Sequence, residues 1–354
     1  MRPNHEMMIL VRRTSRNGQG TKTQRRLSSG RASLQKAYDH PMKSPRYTKF
    51  RSEFELAAVV LFWGFNFVIV KVVLEIMNPH VMNIFRLLSA AIVLGYIYLR
   101  RVGGSQQQFW APLKKDPISF IILSLIGWVT YQVAFITGLD FTTAGNGAMI
   151  MASAPIWTAI LAFTMKTERL SSYAWMGLLI SITGTAIVVA FGSAEVSLSS
   201  ELLLGNAIVL LASILWGSYT ALTKPLVKKH SPISVTVLAL LLALPPMALL
   251  ALPYWHEVDW SLVTPLYWLA IFFSGALSTG IAIVFWNTAV KNLGASHTAA
   301  FGNLVPLVAL LSGYFLLGDA ILPAQIAGGT LIIGGLVVMR WARKRRTDPQ
   351  PEHS

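Results

Sequence analysis

Arg86 is the one positive charge that falls clearly inside an apolar stretch of this 354-residue chain. A guanidinium presents several N–H donors in a planar fork, so in such a setting it can hold a carboxylate or an array of carbonyls. An ionisable group within an apolar span points to a functional site by default. The competing reading is a long side chain that snorkels to the outer interface. The aromatic and amide side chains of the apolar stretches complete the candidate binding set with Arg86. They are Trp63, Asn66, Trp128, Tyr131, Gln132 and Asn146, followed by Trp216, Tyr219, Trp286, Asn287 and Asn303. Aromatics with a few amides suit a molecule that is part apolar and part polar. Helix packing or an interfacial aromatic belt would use the same residue types.

Pro155 and Pro306 sit within apolar stretches, where proline removes a backbone hydrogen bond and kinks the helix. Such breaks can offer backbone polar groups to a ligand, or serve as structural bends alone. No Asp or Glu lies deep in an apolar stretch. Glu168 and Asp319 precede helices, where a carboxylate either caps the positive helix end or relays protons. His297 falls at the start of one stretch, as a structural hydrogen-bonder or a group titrating near neutrality. Lys71 and Lys224 fall at span ends, where snorkelling is the plain reading. There is no phosphate-binding Gly-x-x-x-x-Gly-Lys-Ser/Thr, no His-Glu-x-x-His and no EF-hand pattern. Cysteine is absent, which excludes a disulfide framework. No enzyme activity, metal or cofactor is expected.

These side chains need elements that can position them in an apolar medium. Hydrophobic residues make up 54% and charged ones 13%, against about a quarter charged in soluble domains. The apolar residues come in blocks of about 20, the length that spans ~30 Å of hydrocarbon. The reading is an all-α membrane protein with ten transmembrane helices, at ~56–76, 80–99, 118–138, 143–164, 172–190, 203–222, 232–252, 266–288, 296–317 and 323–340. The net charge of +15 would suggest nucleic acid in a soluble protein, but here its distribution excludes that partner. Thirteen of the 30 Lys and Arg fall in residues 1–51 and five in Arg340–Arg346. Residues 1–51 read as a basic disordered tail, a transit peptide, or the product of a start placed upstream of Met42. Residues 341–354 read as a basic cytoplasmic tail. Basic residues in alternate loops put both termini on the cytoplasmic side of the cell (inner) membrane.

The chain is also a duplication. Trp63-Gly64 followed by Lys71 and Pro79 returns as Trp216-Gly217, Lys224 and Pro232, offset by 153. Pro155, Glu168, Gly177 and Gly184 return as Pro306, Asp319, Gly328 and Gly335, offset by 151. Residues 56–190 and 203–340 are therefore two copies of one five-helix unit. Five is odd, so the second copy enters from the opposite side, giving an inverted-topology repeat with a site near mid-membrane between the halves.

The run Trp63-Gly64-x-Asn66-Phe67, with Lys71, Pro79 and Arg86, resembles the opening of an EamA-type unit. The run from Thr143-Ala144-Gly145-Asn146 through Pro155 to Glu168-Arg169-Leu170, Gly177 and Gly184 resembles the rest of it. The chain is similar to the drug/metabolite transporter superfamily, EamA type, over ~285 residues. The second copy departs from the pattern, with Ala239 where Arg86 would fall and Asp319 for Glu168. The resemblance implies a secondary carrier for small organic metabolites, amino acids or related solutes. By the same analogy it exports them. Nucleotide-sugar or phosphate-sugar exchange, or a scaffold without transport, are the alternatives. Phosphate anions would call for more buried cations than one arginine.

Overall fold

The computed structural model describes residues 45–142, 144–167, 171–191, 200–318 and 321–347. Expectations placed on residues 1–44, Thr143, Glu168, Arg169, Leu170, Asp319 and 348–354 lie outside these, as does the side chain of Asn146. The described residues from Lys49 onward form one compact unit. Every regular element among the described residues is helical. Hydrocarbon offers no partner for backbone N–H and C=O groups, so apolar runs close their own hydrogen bonds as helices.

The first two spans are α1 (Pro45–Leu74) and α2 (Pro79–Arg101), followed by the short α3 (Gln106–Lys115). The next span joins α4 (Pro117–Ser124), a π-helical segment (Leu125–Thr130) and α5 (Tyr131–Phe141). Then come α6 (Ala144–Met151), α7 (Ala154–Thr164), α8 (Ser172–Phe191), α9 (Ser200–Lys229) and α10 (Pro232–Ala251). A second π-helical segment (Phe273–Ile281) joins α11 (Pro265–Phe272) to α12 (Ala282–Leu293). The chain ends in α13 (Ala295–Phe301), α14 (Val305–Leu317) and α15 (Pro323–Thr347). Seven helical runs among the described residues are long and apolar enough to cross a membrane: Tyr47–Leu74, Pro79–Arg101, Pro117–Phe141, Leu204–Lys229, Pro232–Glu257, Pro265–Leu293 and Ala295–Leu316. The other three expected spans fall on α6 with α7, on α8 and on α15. The chain is an all-α membrane protein.

Local chemistry starts these helices. Pro79, Pro117, Pro232 and Pro265 stand in the first turn, where the missing N–H leaves no bond unmade. Asn78 Oδ1 accepts from His80 N at 3.0 Å, and Ser231 Oγ accepts from Ser234 N at 3.2 Å, so the matched second helices of the two copies are capped alike. The helices before Pro155 and Pro306 both break. α6 stops at Met151 and α7 starts at Ala154, while a 3₁₀ turn (Gly302–Leu304) separates α13 from α14.

The Trp-Gly pairs set how the copies meet. Gly64 on α1 lies against Val308 on α14, leaving no room for a Cβ. Its repeat mate Gly217 on α9 lies against α7, where a Cβ would come within 2.7 Å of Ala154 O. Thr158 Oγ1 donates to Gly217 O at 3.1 Å across this contact. In each case the first helix of one copy packs on the fourth-span helix of the other, through a glycine that permits close approach.

Candidate binding cavity

The helices that meet through those glycines surround a cavity of about 70 Å³, on a scale where one water needs roughly 10–15 Å³. A small metabolite fits that space. Both copies line it: Trp63, Asn66, Arg86, Tyr131, Gln132 and Pro155 from the first, and Trp216, Ser278, Thr279, Trp286 and Gly302 from the second.

Arg86 projects from α2 and is 2% exposed. Nε donates to Ser274 Oγ at 2.6 Å, Nη1 to Asn83 Oδ1 at 3.2 Å and Nη2 to Thr279 Oγ1 at 2.9 Å. All three acceptors are neutral, and among the described residues no carboxylate pairs with this guanidinium. Burying an unpaired charge is costly, and an anion arriving in the cavity relieves that cost. The side chain does not snorkel. The second π-helical segment holds it, with Thr279 Oγ1 in turn donating to Ser274 O at 2.8 Å. Gly275 in the same segment lies directly on the Arg86 carbonyl, so α2 and this segment are in backbone contact. Extra-residue turns of this kind recur at functional sites.

The aromatic wall is a continuous cluster. Trp63 meets Trp216 edge-on at 5.2 Å and Trp286 at 4.9 Å, while Tyr131 lies 5.0 Å from Trp216. Hydrogen bonds fix the indoles: Trp63 Nε1 donates to Ser278 O at 2.8 Å, and Trp286 Nε1 donates to Thr220 Oγ1 at 3.1 Å. Asn66 and Gln132 complete the lining from α1 and α5.

Other candidates stand apart from the lining. Tyr219 stacks behind Trp216 at 5.1 Å, and Asn287 Nδ2 donates to Tyr219 OH and Thr236 Oγ1, each at 2.9 Å. Trp128 is fully buried among the same helices. These three support the wall from outside. Asn303 is buried in the turn between α13 and α14, and the Asn146 side chain lies outside the described residues. Pro155 lines the cavity and Pro306 does not. Lys71 and Lys224 are tied to backbone: Lys71 Nζ donates to Leu139 O at 2.9 Å, and Lys224 Nζ to Thr167 O at 3.0 Å. Sequence reasoning missed Ser274, Ser278 and Thr279. The available signal was the small, hydroxyl-rich run Ser274-Gly275-Ala276-Leu277-Ser278-Thr279-Gly280 inside an apolar span. Among the described residues no cluster of three His, Asp or Glu could hold a metal ion.

The chain is 28% identical over 277 residues to a protein of Bacillus subtilis (strain 168) named "Uncharacterized transporter YyaM", covering 78% of this chain and 89% of that one. It is 27% identical over 310 residues to a "Probable terminal-alkyne amino-acid exporter" of Streptantibioticus cattleyicolor, covering 84% and 96%. A solved structure described as "Crystal structure of protein" shares the fold with a TM-score of 0.63 at 17% identity, covering 85% of this chain and all of that one. The pattern of the EamA-like transporter family matches twice, at residues 53–190 and 203–341. Those two matches take in both walls of the cavity and nearly all of the helical unit, and on them the chain belongs to the EamA-like transporter family.

Proposed function

We propose that this chain is a secondary carrier of small organic metabolites bearing a carboxylate, amino acids or related solutes, and that it exports them across the cell (inner) membrane. The observation that carries this reading is Arg86: a buried cation without a described carboxylate partner, in the wall of a metabolite-sized cavity between the two copies. The relative named a probable amino-acid exporter supports the solute class and the direction. In this reading ten helices form two inverted five-helix repeats, 56–190 and 203–340. Both termini are cytoplasmic, and the cavity opens to each side in turn. The exchanged contacts of Gly64 and Gly217 with the opposite copy support that symmetry. Arg86 is the one Lys or Arg lining the cavity, which favours a single carboxylate over a phosphorylated sugar.

Counterflow in proteoliposomes tests it, using a panel of labelled amino acids and other carboxylates. Exchange of at least one of these solutes, lost in empty liposomes, is the expected result. Folded, reconstituted protein that exchanges none of them defeats the proposal.

A further inference from the structure

The two segments that join the second span of each copy to the third carry opposite charge. In the second copy, residues 252–264 hold Glu257 and Asp259 and no Lys or Arg. In the first, residues 100–116 hold Arg100, Arg101, Lys114 and Lys115. The acid of this segment, Asp116, is already engaged by Lys229 and His230. All four cations are exposed, and among the described residues none of them meets a carboxylate. The basic segment is an ordered arm. Gly103 and Gly104 take φ of +65° and +76°, a left-handed bend that side chains disfavour, just before α3. Tyr98 OH on α2 donates to Phe109 O on α3 at 3.2 Å, and the two rings lie 4.7 Å apart, so α3 is held against α2. α3 is amphipathic. Phe109 and Leu113 pack against the core, while Trp110 and Lys114, also one turn apart, are exposed. The spans entering and leaving the arm are apolar on their exposed faces, through Ile92, Tyr96 and Leu99 on α2 and Ile118 and Ile122 on α4. The Arg100 guanidinium lies 6.0 Å from the centre of the Tyr96 ring, at the edge of that apolar face.

We propose that this arm is a docking surface for anionic phospholipid. Arg100, Arg101, Lys114 and Lys115 hold the headgroup phosphate, Trp110 sits at headgroup level, and the acyl chains lie on the apolar faces of α2 and α4. Cations at the end of a membrane span stand where headgroups are, and a guanidinium donates to phosphate as a fork. Four cations without a free acid select a lipid with net negative charge, because a zwitterionic headgroup brings its own cation into the same row. An exposed tryptophan on an amphipathic helix suits the membrane–water boundary. The matching segment of the second copy also exposes tryptophans, Trp255 and Trp260, but its charges are acidic and repel the same lipid. The inference goes beyond the carrier reading and does not depend on it.

The test must read the arm alone, because residues 1–51 carry thirteen further cations. Purified full-length protein in detergent is titrated with phosphatidylglycerol or phosphatidylcholine bearing brominated acyl chains, which quench nearby indoles. The signal of Trp110 is the difference between each protein and the same protein carrying Trp110→Phe. Phosphatidylglycerol is expected to quench Trp110 at about tenfold lower concentration than phosphatidylcholine or less. The double variants Arg100→Gln/Arg101→Gln and Lys114→Gln/Lys115→Gln are each expected to weaken phosphatidylglycerol by about fivefold per charge removed, leaving phosphatidylcholine unchanged. Lys114→Arg/Lys115→Arg is expected to keep the preference. Lys49→Gln/Lys291→Gln removes two exposed cations elsewhere and is expected to change nothing. Equal quenching by the two lipids overturns the proposal, as does a preference that survives in both Gln doubles. Equal weakening in Lys49→Gln/Lys291→Gln would show an effect of net charge alone and also overturn it. Displacement by millimolar glycerol phosphate would show a site for a soluble anion, which likewise defeats the lipid assignment.

Discussion

Gly177 on α8 lies against the backbone of Gly335 on α15, so that a Cβ placed on Gly177 would come within 2.6 Å of Gly335 O. Seven residues on, a Cβ on Gly184 would come within 2.5 Å of Gly328 O. Gly177 and Gly328 are repeat mates, as are Gly184 and Gly335. Each copy therefore presents its earlier glycine to the later glycine of the other, and this pairing requires antiparallel helices. That crossing supports the proposed inverted repeat.

The crossing leaves no room for a side chain. Gly177→Ala and Gly335→Ala are expected to destabilise the protein by about 1–3 kcal/mol each, because the obstacle is backbone and cannot rotate away. Gly334→Ala, whose Cβ would meet nothing within 4 Å, is expected to be neutral or slightly stabilising. Thermal unfolding in detergent reads the difference. Equal shifts at Gly334 and Gly335 would count against the close crossing.

Arg86→Gln removes the cation that faces the cavity. Hydrogen bonds to charged groups are worth about 1.5–3 kcal/mol, so binding of a carboxylate solute is expected to weaken by roughly 10- to 150-fold. A neutral solute of similar size is expected to change little. Arg86→Lys is not expected to restore binding, since an ammonium cannot donate in a planar fork to Ser274, Thr279 and a ligand together. Equal weakening of charged and neutral solutes would remove the anchoring role.

Lys71 and Lys224 are repeat mates that hold different carbonyls. Lys71 is tied to Leu139 within its own copy, whereas Lys224 reaches Thr167 in the other copy. Under the proposed inverted-carrier reading the two arrangements exchange as access alternates, and the Lys224 tie to the other copy is a latch on the side proposed to be cytoplasmic. Lys224→Met is expected to raise several-fold the labelling of Ala299→Cys from the cytoplasmic side. The native chain has no cysteine, so the background is clean. Unchanged labelling would refute the latch. Tags at Lys114 and Lys228 reporting opposite sides of the bilayer would refute the inverted topology itself.

Asp116 joins the copies at one end of the bundle. Its Oδ1 accepts from Lys229 Nζ at 2.7 Å, and its Oδ2 lies 2.7 Å from His230 Nε2. The hydrogen bond from Lys229, then that from His230, holds the carboxyl below its ordinary value of 3.8. A carboxylate with a lowered folded-state pKa contributes stability that is present above the unfolded value and is lost as pH falls through the folded one. The stability difference between wild type and Asp116→Asn is therefore expected to be constant above about pH 5 and to shrink as pH drops below 3.8. A difference that grows on acidification would contradict the assignment.

Properties carried by neighbours along the chain were legible before any fold was known. Long apolar blocks with few charges read as membrane helices because hydrocarbon thickness and backbone hydrogen bonding act on each segment separately. The repeated Trp-Gly, Pro and Gly marks revealed the duplication because spacing survives in sequence. What tertiary structure decided was the rotation of each helix about its own axis. Spans apolar on nearly every face carry little periodic signal for which face turns inward. Sequence could therefore place Trp63 and Trp128 on one candidate set, but packing put the first in the cavity wall and the second behind it. Arg86 was visible as a charge in lipid, while its hydroxyl partners stand 188 and 193 residues away in a π-helical turn that no local pattern announced. The same packing brought Asn66 and Gln132, 66 positions apart, onto the lining of one cavity, because a side chain's neighbours depend on which helices the fold brings alongside it.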